Sequence, residues 1–67
     1  MPWSMTNAPP AMRSLPVSVR EKAIHIANAL LLEGESEGRA IRIGIAQAQR
    51  WALRRRSLQA GAGWMRR

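Results

Sequence analysis

The chain has 67 residues, no cysteine, one histidine and a formal net charge of +7. A length like this carries one small domain at most and buries too little surface for a secure core without a staple. Disulfides and thiolate metal sites are excluded, and one His with four Glu and no Asp argues against any metal site, so no cofactor is implied and oligomerisation is the staple that remains.

Residues 1–16, MPWSMTNAPPAMRSLP, read as an irregular arm, because Pro2, Pro9, Pro10 and Pro16 disfavour helix at and before their positions. No secretory signal is visible and no stretch approaches the ~20 apolar residues of a membrane span, which leads to the expectation of a cytoplasmic protein. A lone Trp near a terminus is often exposed and idle. Here the helices that follow are short of core, and Trp3 folded back onto them would supply it.

A first helix is predicted from about Ser18 to Glu33, with a start as much as two residues earlier. Ser18 and Glu21 have capping-box spacing. At about 100° per residue, Val19, Ala23, Ile26, Ala27 and Leu30 share one apolar face, with Ile24 and Leu31 at its edge. Glu21, Lys22, His25 and Asn28 then point away from it. No neighbour suggests a ligand or general-base role for His25, which reads as an exposed helix residue. Gly34 follows the periodic run as its stop, able to adopt the left-handed conformation.

Residues 34–36, Gly-Glu-Ser, make a short turn in which Ser36 caps a second helix, with Glu35 and Glu37 complementing its dipole. So short a turn leaves the helices as antiparallel neighbours or as a helix-turn-helix-like corner. The second helix, 36–56, has two unlike faces. Ala40, Gly44, Ala48 and Ala52 form a stripe of small residues at every fourth position, joined on that side by Ile41, Ile45 and Trp51. Gly38 and Gly44 each cost roughly 1 kcal/mol relative to Ala in a helix interior. Close approach of a partner backbone would offset that, and Ala23 and Ala27 are the natural counterpart. Arg39, Arg42, Arg50 and Arg54 occupy the opposite side. Ile43 and Leu53 sit among these arginines and call for cover by the arm, the tail or a second subunit. Arg55 falls on the apolar side, so packing should end near Ala52.

Residues 57–67, with Gly61 and Gly63 and no helical period, read as a flexible basic tail. Its Trp64, Met65, Arg66 and Arg67 are either a sticky basic-aromatic end or sequence without a role. The expected organisation is one domain, 1–56, with an arm at 1–16 and a helical hairpin at 17–56.

Nothing in the inventory supports catalysis: one His without Cys or Asp cannot build a nucleophile–base–orienter set. No phosphate loop, zinc, EF-hand, RRM or KH signature is present, and no small-molecule substrate is evident. Charge is the positive signal. Residues 1–37 hold three basic and four acidic residues, whereas residues 38–67 hold eight Arg and no acid. That split points to nucleic acid, an anionic membrane surface or an acidic protein as partner, weighed against a face that is merely solvated. Arg39, Arg42, Arg50 and Arg54, with Arg55 and Arg56 beyond, would line a helix side that phosphates attract regardless of sequence. Insertion of a recognition helix is disfavoured, because its leading end would be Glu35, Ser36, Glu37 and Gly38. Membrane binding is disfavoured because the hairpin needs the apolar face for its own core. The rival is a helical interaction module, homodimeric or docked on an acidic protein, using the small stripe with Ile43 and Leu53.

The opening MPWSM and the segment 15–52 together resemble a family of small bacterial proteins, YdaT-like. The Trp3 opening, the KAIHIANALL run, the EGESEGRAI turn and Trp51-Ala52 carry the likeness. More distantly the chain is similar to ChaB-like proteins, which share a Met-Pro-aromatic start and a late pair of Ala and Trp. Those proteins carry a cation-transport-regulator label, and nothing in these residues supports a transport mechanism. The resemblance implies a bacterial, cytoplasmic, mainly helical protein tied to stress, with no catalytic residues to carry over and with Trp3, Gly34, Gly38 and Trp51 in structural roles. Arg42, Arg50 and the Arg54–Arg56 run make this second helix more basic than that family implies, and 57–67 lies outside the likeness.

The expected fold is therefore mainly α: an antiparallel two-helix hairpin over about 18–33 and 36–56, with the arm packed on it and a flexible C-terminal tail. Two such hairpins would give a four-helix homo-oligomer.

Overall fold

Proline decides where the first helix begins. In the computed structural model, which describes the backbone of residues 3–65 and the side chains of residues 3–56, Pro16 sits at φ −56° and ψ 155° immediately before α1 (Val17–Leu32). Its carbonyl accepts the first intrahelical bond, from the Arg20 N–H at 2.8 Å. Ser18 is consequently the second residue inside the helix, and the expected capping box with Glu21 does not form: no side chain caps this end. The Arg20 side chain instead ties the arm down. Its Nη2 donates to the Arg13 carbonyl at 3.1 Å and to the Leu15 carbonyl at 3.0 Å.

The other end of α1 stops as expected. Gly34 adopts φ 101°, its N–H donates to the Leu31 carbonyl at 3.0 Å, and the Glu35 N–H reaches the Leu30 carbonyl at 3.1 Å. This is the paired pattern of a Schellman cap, and it satisfies carbonyls that the helix end leaves open. Ser36 then caps α2 (Glu37–Met65). Its Oγ accepts from the Arg39 N–H at 3.3 Å and its carbonyl from the Ala40 N–H at 2.9 Å. The backbone of α2 continues past Arg56 into the segment expected as a tail. No proline interrupts 57–65, Leu58, Gln59, Ala60 and Ala62 are serviceable helix formers, and two glycines at roughly 1 kcal/mol each do not stop the helix. The side chains of 57–67, including Trp64, Met65, Arg66 and Arg67, lie outside the described residues, and so does the question of the tail's role.

The two helices pack antiparallel through the small stripe. Ala40 and Ala48 are fully buried, as are Ala23 and Ala27 on α1. At Gly44 the approach is closest: a Cβ there would stand 2.8 Å from the Ala23 carbonyl oxygen and 3.2 Å from the Ala27 Cβ. Gly38 is different. A Cβ at Gly38 would meet nothing within 4 Å, so no backbone approach explains that glycine.

The arm completes the core. A 3-10 turn at Pro10–Met12 buries Met12 completely. Met12 and Ala8 join Val19, Ile24 and the four alanines in one cluster, with Trp3, Met5 and Leu15 packed partly buried against it. Asn28, expected on the solvent side of α1, is instead 2 % exposed. Its Oδ1 accepts from the Trp3 N–H at 3.3 Å and its Nδ2 donates to the Trp3 carbonyl at 3.0 Å. The carboxamide thus satisfies both backbone groups of Trp3. Burial is compensated by pairing, which is how a polar side chain enters a core this small.

Candidate nucleic-acid interface

Arginine places no demand on the helix that carries it, so the charged side of α2 follows from which residues the stripe leaves outward. Arg39, Arg42, Arg50, Arg54, Arg55 and Arg56 are all exposed. Among the described residues the only ion pair joins Arg39 Nε to Glu35 Oε1, at 3.1 Å, one helical turn apart and largely in solvent. Such a pair contributes about 1 kcal/mol at most and exchanges readily for another anion.

The antiparallel register divides these arginines into two groups. At the turn end, Arg39 and Arg42 line a shallow groove with Ile43 and Ala46, close in sequence to Glu33, Glu35 and Glu37. At the open end, where α1 begins, Arg50 and Arg54 line a groove with Gln47 and Trp51. A neighbouring groove there holds Lys22, Trp51 and Arg55, with Glu21 in its wall. The hairpin is therefore polarised, acidic beside the turn and basic at the open end.

Trp51 is the hub of that basic end. It is half-buried, with Lys22 Nζ 5.4 Å and Arg55 Cζ 5.0 Å from its ring centroid, both within cation–π range. Arg55 was expected on the apolar side, and the ring is what it finds there. Lys22, on the outward side of the first helix in the sequence pattern, joins this end through the ring. No period signals it, because the residue it meets lies across the hairpin.

The remaining expected cover is incomplete. Ile43 is half-buried, but Leu53 remains 61 % exposed, as do Val17 and Leu32 to a similar or greater degree. No group of three or more His, Cys, Asp or Glu among the described residues is placed to hold a metal ion. No described helix is long and apolar enough to cross a membrane.

Fold and surface together define a small all-helical protein, a two-helix hairpin braced by its arm and carrying a basic, aromatic open end. The chain is similar to the uncharacterized protein YdaT of Bacillus subtilis (strain 168), with 52% identity over 52 residues, 78% of this chain and 35% of that protein. It is YdaT-like over that segment and spans about a third of the length of the curated relative it matches. The ChaB-like likeness finds no support in these comparisons. No family model matches the chain, and no solved structure matches it.

Proposed function

We propose that this is a non-enzymatic binding protein that makes sequence-independent contacts with nucleic acid through Arg39, Arg42, Arg50 and Arg54, extended by Arg55 and Arg56. The observation that carries this reading is the exposure of all six on a helix with no carboxylate beyond Glu37. A phosphate backbone gains from every such cation through counterion release, without base-specific geometry. The acids beside the turn weaken the potential at Arg39 and Arg42, so the weight of binding falls on the open end. The protein then works in the cytoplasm, where such polyanions are found. Fluorescence anisotropy with a short duplex DNA and a structured RNA across a salt series tests this. Affinity should fall steeply with salt and drop further in an Arg39/Arg42/Arg50/Arg54→Ala variant. Absence of binding at low salt would end the reading.

A second reading, a helical interaction module, is favoured by a different observation. Val17, Leu32 and Leu53 leave apolar surface uncovered in a chain that has little core. Sedimentation at increasing protein concentration tests it, with a concentration-dependent dimer expected and a monomer throughout counting against homodimerisation.

A further inference from the structure

We infer that Trp51 is a stacking platform for an unpaired base, so that the open end of the hairpin takes single-stranded nucleic acid in preference to duplex. This rests on the nucleic-acid reading above and specifies its ligand. Trp51 is half-buried and lines grooves at the open end of the hairpin. It borders the groove of Arg50 and Arg54 on one side and that of Lys22 and Arg55 on the other. Two cations already lie over the indole, Lys22 at 5.4 Å and Arg55 at 5.0 Å. They mark the ring as reachable by groups that stack.

The arrangement allows an exchange. A guanidinium lying over a ring at the surface of a groove is held weakly, and a nucleobase stacks on tryptophan more strongly. A base that takes the place of Arg55 or Lys22 on the ring releases that side chain to meet the adjoining phosphate. Arg50 and Arg54 stand on the other flank to meet the next one. Glu21 lines the Lys22 groove, whereas no acid lines the groove of Arg50 and Arg54, so the strand is expected to track the Arg50–Arg54 side. Duplex offers the same phosphates but keeps its π-faces inside the stack. DNA and RNA single strands should both bind, because every base has a π-face and neither the ring nor the arginines read the sugar.

The test compares four probes of equal length by anisotropy at matched salt: a thymidine oligonucleotide, a uridine oligonucleotide, a duplex, and an abasic strand that keeps the phosphates. Wild-type protein should bind both base-bearing single strands on the order of tenfold more tightly than the abasic strand. Trp51→Leu, which keeps apolar bulk without a π-face, should bring them down to the level of the abasic strand measured with the same variant. Trp51→Phe should restore most of the difference. Circular dichroism checks that each variant is folded, and the wild-type comparison with the abasic strand decides even where a variant is not. Equal affinity for base-bearing and abasic strands would overturn the platform and leave the phosphate contacts standing. A base preference that survives in folded Trp51→Leu would overturn the assignment to Trp51. No binding to any probe would overturn both readings.

Discussion

Replacing Gly44 with alanine sets two effects against each other on one residue. Alanine is the better helix former by roughly 1 kcal/mol in an interior position. The new methyl, however, would sit 2.8 Å from the Ala23 carbonyl oxygen, 3.2 Å from the Ala27 Cβ and 3.3 Å from the Ala27 nitrogen. None of these is the movable end of a long side chain, so relief requires the helices to separate. A gap of about half an ångström forfeits something like a quarter of the dispersion energy of the atoms lining it. Overpacking of this kind costs about 1–3 kcal/mol in a well-packed core. Net of the propensity gain, Gly44→Ala should destabilise by up to about 2 kcal/mol. Gly38→Ala is the internal control. It meets nothing within 4 Å and its φ is not positive, so it should stabilise by about 0.5 kcal/mol. In a domain this small, 1 kcal/mol moves Tm by roughly 4–8 °C. Thermal melts followed by circular dichroism should therefore shift in opposite directions for the same chemical change. A Tm for Gly44→Ala raised as far as that for Gly38→Ala would refute the close helix contact.

Three further substitutions test the parts that hold the hairpin. Asn28→Ala removes both bonds to the Trp3 backbone and should cost about 1–3 kcal/mol; hydrogen exchange should show the Trp3 amide losing protection, and an unchanged amide would mean the arm is held some other way. Met12→Ala empties a fully buried site and should cost about 2–5 kcal/mol in chemical denaturation, less if the arm collapses onto the space. Gly34→Ala places a side chain at φ 101° in open surroundings, so it should cost about 1–2 kcal/mol by backbone strain alone, read from the same melts.

How far these features were legible depended on how local their causes are. The turn was readable because Gly34 and Ser36 act within a few residues of themselves, through a left-handed backbone and a capping hydroxyl. The stripe was readable because its small residues recur at a helical period and a matching alanine pair stands on α1. The start of α1 falls within the expected range, but its cap does not, because Ser18 resembles a cap while Pro16, with its fixed φ, already does the work of a boundary. Asn28 was misplaced for a deeper reason. A helical wheel assigns one buried face, whereas α1 serves two partners, α2 and the arm, and the arm claims Asn28. Ala8 and Met12 carried no signal because an irregular segment has no period to read. At the candidate site the arginines were visible as a face of α2. Their division into a turn-end pair beside acids and an open-end cluster around Trp51 was not, because it follows from the register between helices. Lys22 enters for the same reason.

The most direct test of the basic open end is the salt dependence of duplex binding in three forms of the protein: wild type, Arg39/Arg42→Ala, and Arg50/Arg54/Arg55/Arg56→Ala. Each phosphate neutralised contributes about −0.9 to the slope of log K against log salt concentration. The open-end variant should lose up to about 3.6 units of slope and most of its affinity, while the turn-end variant should change by about one unit or less. Equal losses in the two variants, or a wild-type slope that survives removal of the open-end arginines, would contradict the account.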